Sequence, residues 1–268
     1  GLTIVAMGTS LPEAAVSITA ASQNNAAISI GNVVGSNILN ILIILGVTSV
    51  ITDLSVQKST VHYEIPFMIG ISILLFVFGL TDHSISFAEG IIFWILFLCY
   101  LGYLAIMARK NKETETCEKN IPLWKCILMI MIGCLLIIKG SDFAVSGASD
   151  IARYFGISEH FIGLTIVALG TSLPELVTSV TAALHKNADI AIGNIVGSNI
   201  FNILFILGTT SFFCTIPFEP RFLIDTAVAI GSALLLWLSV YRRNSLQRPA
   251  GILMLICYVI YFIYLCMA

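Results

Sequence analysis

The chain has 268 residues, 58% of them apolar and only 10% charged, with a mean hydropathy of +0.99. A soluble domain of that length needs nothing like so much apolar surface, so the soluble classes are excluded and a polytopic α-helical membrane protein is indicated. The formal net charge of −2 decides little, because orientation in a bilayer depends on where the cations lie.

A bilayer core takes about 20 helical residues. Apolar runs near 1–21, 26–50, 63–80, 85–108, 123–147, 161–183, 188–212, 222–241 and 250–267 predict nine spans, the first cut short. Polar turns such as Gln23-Asn24-Asn25 and Thr81-Asp82-His83 separate them. The charged stretch ARKNKETETCEKN, which opens at Ala108, reads as a solvated link between two halves. The expected organisation is therefore a first half over 1–107, a cytoplasmic loop over 108–122 and a second half over 123–268. Cys99, Cys117, Cys126, Cys134, Cys214, Cys257 and Cys266 show no CxxC pair and are expected to pack. His62, His83, His160 and His185 fall at span ends, where solvated residues are expected. Lys139 and Asp142 read as an intramembrane pair, Asp150 and Glu159 as loop charges, and the aromatic runs in 91–103 and 258–264 as lipid-facing or interfacial.

Alternating the sides of the connecting segments sorts the cations sharply. Lys58, Arg109, Lys110, Lys112, Lys119, Lys125, Lys186, Arg242, Arg243 and Arg248 collect on one side, against Arg153 and Arg221 on the other. That asymmetry predicts a cytoplasmic 108–122 loop and an external C-terminus.

Residues 1–46 align without gaps on 163–208, with 33 of 46 positions identical. The motif GTSLPE at Gly8–Glu13 recurs at Gly170–Glu175, and five predicted crossings lie between the copies. Five is odd, so the copies run in opposite directions, as in secondary transporters whose sites lie near the midplane where interrupted helices meet. Span 123–147 has no counterpart before Gly1, so about ten helices are expected in the complete protein, five per repeat.

Pro12 and Pro174 lack an amide hydrogen and clash with the carbonyls of Gly8 and Gly170, so each motif should break its helix and free backbone oxygens. Such irregular backbone is tolerated at membrane depth only where it is buried in protein or lines an aqueous cavity. Beside each break stands an acid, Glu13 or Glu175, which costs about 3 kcal/mol or more at midplane without a partner. No matching pair of buried cations is visible in the sequence, which leaves a bound cation as the simplest counter-charge. The candidate ligands are oxygens throughout: the two carboxylates, the hydroxyls of Thr9, Ser10, Thr171 and Ser172, freed carbonyls and downstream amides. Hard oxygen donors suit Ca²⁺, with Na⁺ or protons able to share the same carboxylates, and exclude a soft-metal thiolate site.

The next span repeats as GNVVGSNILN (31–40) and GNIVGSNIFN (193–202). Its GxxxG pairs, Gly31/Gly35 and Gly193/Gly197, permit close helix approach. Asn32, Ser36 and Asn40 are spaced by four and share a helix face, as do Asn194, Ser198 and Asn202; Asn32 and Asn194 serve equally well as braces of the broken helices.

These paired motifs resemble the cation/calcium exchanger superfamily, and specifically its prokaryotic sodium/calcium exchanger branch, over essentially the whole chain. The resemblance implies an all-α antiporter, not an enzyme, that exchanges Na⁺ for Ca²⁺ by alternating access, three to one, in a bacterial inner membrane. It implies no cofactor beside the transported ions and no nucleic-acid or protein partner. It places Glu13 and Glu175 at the central ion site. Ala6, Thr9, Ala168 and Thr171 would contribute backbone carbonyls, Ser10, Ser36, Ser172 and Ser198 hydroxyls, and Asn40 and Asn202 amide oxygens. Several members, potassium-dependent ones in particular, carry Asp where this chain has Asn202, which argues against potassium dependence. A proton/calcium exchanger is the nearest alternative. A cation channel suits broken inverted repeats less well, and an intramembrane hydrolase lacks any HExxH or GxSxG companion to its acids.

Overall fold

Apolar stretches flanked by proline, glycine and short polar turns fold here as helices, the conformation that satisfies every backbone group inside one segment. A computed structural model describes residues 2–22, 26–111, 122–156, 168–185 and 188–267. In chain order the helices are α1 (Leu2–Thr9), α2 (Leu11–Ser22), α3 (Ala27–Ile51), α4 (Thr60–Asp82), α5 (Phe87–Asn111), α6 (Leu123–Tyr154), α7 (Ala168–Thr171), α8 (Leu173–Leu184), α9 (Ala188–Phe201, continuing to Phe213), α10 (Pro220–Tyr241) and α11 (Arg248–Met267). Six of them, α3, α4, α5, α9, α10 and α11, are long and apolar enough to cross a membrane. The remaining expected spans differ for physical reasons. The first and the sixth are each broken, at Ser10 and Ser172, and the pieces after the breaks, α2 and α8, have 12 residues each, too few to cross alone. The fifth, expected over 123–147, runs on to Tyr154 as a 32-residue helix whose second half carries Lys139, Asp142, Asp150 and Arg153. Helix α5 likewise continues to Asn111, so the opening of the expected 108–122 loop is helical, while 112–121 lie outside the described residues.

Helices α3 and α9 form the centre. Within their most apolar windows 72% and 83% of residues are buried, against 39% or less in α4, α5, α10 and α11, whose outer faces are apolar and open as a lipid-facing surface requires. Each central helix carries a widened π segment at the repeat-matched position, Asn40–Leu45 in α3 and Asn202–Leu207 in α9. Helix α1 packs on α9, and α7 packs on α3, so each half lends its broken helix to the other half's central one.

Matched contacts continue beyond the recognisable sequence repeat. Strands β1 (Leu54–Ser55), β2 (Ser84–Ile85), β3 (Ile216–Pro217) and β4 (Ser245–Leu246) are two residues each, and they pair β1 with β4 and β2 with β3, both antiparallel. His83 and Asn244 precede β2 and β4 with left-handed φ of 49° and 47°, and their carbonyls accept the Phe218 and Val56 amides at 2.8 and 2.9 Å. Gly90 of α5 lies against Ser211 and the Gly208 carbonyl of α9, as Gly251 of α11 lies against Ser49 and the Gly46 carbonyl of α3. Both strand pairs join segments that alternate threading puts on one side: 54–55 with 245–246, and 84–85 with 216–217.

Candidate ion-binding site

The site is built where the two broken helices meet the two central ones. Pro12 and Pro174 occupy the second position of α2 and α8, which tolerate proline there because the amide it lacks has no intrahelical acceptor at a helix start. Glu13 and Glu175 follow at once, in the first turn, where the helix dipole favours an acid. Both glutamates are 0% exposed.

Each carboxylate is held by the serine of the opposite motif. Ser10 Oγ donates to Glu175 Oε1 at 2.8 Å, and Ser172 Oγ donates to Glu13 Oε1 at 3.2 Å. Ala6 contributes its carbonyl oxygen, which accepts from Thr9 Oγ1 at 3.1 Å and from Ser198 Oγ, across the repeats, at 3.3 Å. Ser36 is buried beside them on α3. Thr171 closes the four-residue α7, which starts at Ala168. The structure thus brings the two glutamates, Ser10, Ser172, Ala6, Thr9 and Ser198 into one connected cluster.

Beside it four asparagines form a chain of hydrogen bonds, with Asn37 and Asn199 at its centre and Asn40 and Asn202 at its ends. Asn40 Nδ2 donates to Asn199 Oδ1 at 2.9 Å, and Asn202 Nδ2 donates to Asn37 Oδ1 at 3.0 Å. Asn37 Nδ2 and Asn199 Nδ2 donate to each other's backbone carbonyls at 3.3 and 3.2 Å. Asn37 and Asn199 were invisible to the sequence reading, since they lie off the face shared by residues 32, 36 and 40. The π segments were missed too: they begin at Asn40 and Asn202, and no composition signal marks such a widened turn, although these turns gather at functional sites.

Within this cluster and its asparagines, four buried oxygens have no hydrogen-bond partner: Glu13 Oε2, Glu175 Oε2, Asn40 Oδ1 and Asn202 Oδ1; Ser179 Oγ, Asn194 Oδ1 and Thr210 Oγ1 are left in the same way elsewhere. The four are one carboxylate and one amide oxygen from each repeat, all acceptors. Among the residues whose side chains are described no lysine or arginine is buried. Two desolvated carboxylates, each with one serine hydrogen bond and one oxygen unpartnered, are costly without a counter-charge, so this donor set fits a mobile hard cation held by oxygen.

The other polar residues divide. Asn32 acts as a brace, donating to the Glu13 carbonyl at 3.1 Å and to Ser17 Oγ at 3.0 Å. Its counterpart Asn194 is fully buried with neither amide atom bonded. His62, His83 and His185 are exposed, while His160 and Glu159 lie outside the described residues. Lys139 is exposed on α6, and the Asp142 side chain lies outside the described residues. The aromatic runs need correction. Phe93, Phe97, Tyr100 and Tyr261 are buried, with Phe97 against Phe201 and Phe205 of α9 and the Tyr261 hydroxyl donating to Asp225 at 2.8 Å. One face of each outer helix must cover the central pair, and aromatic side chains fill that gap with the most area.

The family model described as sodium/calcium exchanger protein matches residues 1–106 and 125–267. The sodium/calcium exchanger MaX1 of Methanosarcina acetivorans is 31% identical over 309 aligned positions, covering 99% of this chain and 87% of that protein. The inner membrane protein YrbG of Escherichia coli is 34% identical over 271 positions, covering 94% and 80%. The solved structure of the sodium-calcium exchanger NCX_Mj, soaked with Na⁺ and Sr²⁺, superposes with a TM-score of 0.84 at 35% identity, covering 98% of this chain and 85% of that one.

Proposed function

The chain belongs to the sodium/calcium exchanger protein family, and from that premise we propose that it exchanges Na⁺ for Ca²⁺ by alternating access at a site built on Glu13 and Glu175. The family consists of transporters rather than enzymes; Na⁺ and Ca²⁺ are its transported substrates, and no cofactor takes part. One observation carries the site: four partnerless buried oxygens of one cluster, two from each repeat, with no buried lysine or arginine among the described side chains to balance them. One Ca²⁺ neutralises two carboxylates, and Na⁺ ions using the same oxygens leave them equally discharged. In this reading the ion also draws on the Ser10, Ser36, Ser172 and Ser198 hydroxyls and on the carbonyls of Ala6, Thr9, Ala168 and Thr171. Occupancy removes the charge that would otherwise hold the broken helices in water, so the loaded site can pass the low-dielectric barrier. The reciprocal contacts between halves support an inverted pair of repeats divided by the 108–122 link. The cation asymmetry supports a cytoplasmic link, and the likeness to an inner membrane protein of Escherichia coli supports a bacterial inner membrane.

The test is ⁴⁵Ca²⁺ uptake into proteoliposomes with imposed gradients. Uptake should follow an outward Na⁺ gradient and vanish in Glu175→Gln. Uptake that follows a pH gradient and ignores Na⁺ would make the co-ion a proton. Ca²⁺ flux needing no opposing gradient would make the protein a channel.

A further inference from the structure

We infer that Asn37 and Asn199 are positioning residues that determine which end of the Asn202 and Asn40 amides is offered to the transported ion. The inference rests on reading the cluster around Glu13 and Glu175 as a cation site. A primary amide has two ends of nearly the same shape and opposite chemistry, an acceptor oxygen and a donor NH₂. A cation site needs the oxygen; an NH₂ turned the same way would repel the cargo. The structure sets the choice in two steps. A backbone carbonyl can only accept, so the Asn199 and Asn37 carbonyls fix the donor ends of the Asn37 and Asn199 side chains, at 3.3 and 3.2 Å. That leaves Asn37 Oδ1 and Asn199 Oδ1 as acceptors, and they take the NH₂ ends of Asn202 and Asn40 at 3.0 and 2.9 Å. With both nitrogens committed, Asn202 Oδ1 and Asn40 Oδ1 are the ends left over, buried and unpartnered. Reversing any one amide in this chain of bonds would set oxygen against oxygen, or NH₂ against NH₂. All four side chains are at most 4% exposed, so water cannot repair such a clash cheaply.

An aspartate has no wrong end, and that supplies the test. The half-saturating Ca²⁺ concentration and maximal rate of ⁴⁵Ca²⁺ uptake are measured for the full chain, for Asn37→Leu, for Asn202→Asp and for the double variant. Asn37→Leu should raise the half-saturating concentration about tenfold, the scale of one hydrogen bond to a charged group, and change the maximal rate far less. In the N202D background the same Asn37→Leu change should not raise it, because a carboxylate offers oxygen either way and no longer donates to Asn37 Oδ1. An equal shift in both backgrounds would overturn the inference and leave Asn37 a packing residue. If Asn37→Leu does not purify as a monodisperse protein, the mirror cycle, Asn199→Leu with Asn40→Asp, decides by the same criterion. Glu175→Gln separates the two levels: normal transport by that variant sinks the cation site itself. An inactive Glu175→Gln beside an uncoupled cycle sinks only the role of Asn37 and Asn199.

Discussion

Ser10 and Ser172 stand beside their own motif's glutamate in sequence, yet each serves the glutamate of the other motif. The shorter bond, 2.8 Å from Ser10 to Glu175, should matter more than the 3.2 Å bond from Ser172 to Glu13. Ser10→Ala is therefore expected to raise the half-saturating Ca²⁺ concentration about tenfold, the scale of a hydrogen bond to a charged acceptor, with a smaller rise for Ser172→Ala. Calcium titration of uptake in both variants checks this, and the reverse ranking would mean that other groups hold the carboxylates. At this scale the acids, hydroxyls and Asn40/Asn202 amides were legible as candidates because duplication prints each of them twice. Asn37 and Asn199 are duplicated as well. They went unread because helical spacing shows which residues share a face of one helix, and these two act across to another helix.

Helices were legible to within a few residues wherever an apolar run ended in a polar turn. The breaks at Ser10 and Ser172 follow from proline chemistry, and expecting them needs only the motif. If the break is what the site requires, Pro174→Ala should relieve the clash with the Gly170 carbonyl and supply the amide a continuous helix needs, leave the melting temperature in detergent unchanged or higher, and lower Ca²⁺ uptake. Unaltered uptake would show the break to be incidental. Helix contacts test differently. A Cβ on Gly90 would run into Ser211 and lie 3.1 Å from the Gly208 carbonyl, whereas nothing lies within 4 Å of one on Gly102. Gly90→Val should cost about 1–3 kcal/mol through overpacking, and Gly251→Val a similar amount at the matched contact. Gly102→Val should stay within about 0.5 kcal/mol of the parent. Thermal unfolding of the three variants in one detergent measures the ranking. The inward aromatic faces of α5 and α11 escaped the sequence because a nearly all-apolar helix has no polar stripe to tell its lipid side from its protein side.

For the molecule as a whole, each half's broken helix packs on the other half's central helix, and in the proposed reading one carboxylate and one amide from each half form one site presented to two sides in turn. Under the proposed function, exchange of three Na⁺ for one Ca²⁺ would move one net charge per cycle, worth about 2.3 kcal/mol per 100 mV. A valinomycin-clamped potassium diffusion potential should then speed or slow ⁴⁵Ca²⁺ uptake according to its sign, and indifference to voltage would require two Na⁺ per Ca²⁺. The sequence by itself determined the membrane class, six of the spans and the duplication, which follow from local composition, period and identity at a constant offset, and it offered an oxygen-only donor set as an expectation. Only the tertiary structure decided that Ser10 reaches Glu175, that the asparagine chain leaves amide oxygens at its ends, and that β1 pairs with β4. These are choices between partners some 160 or more residues apart, equally allowed by either repeat alone, and they are settled when two desolvated halves must satisfy each other's buried polar groups.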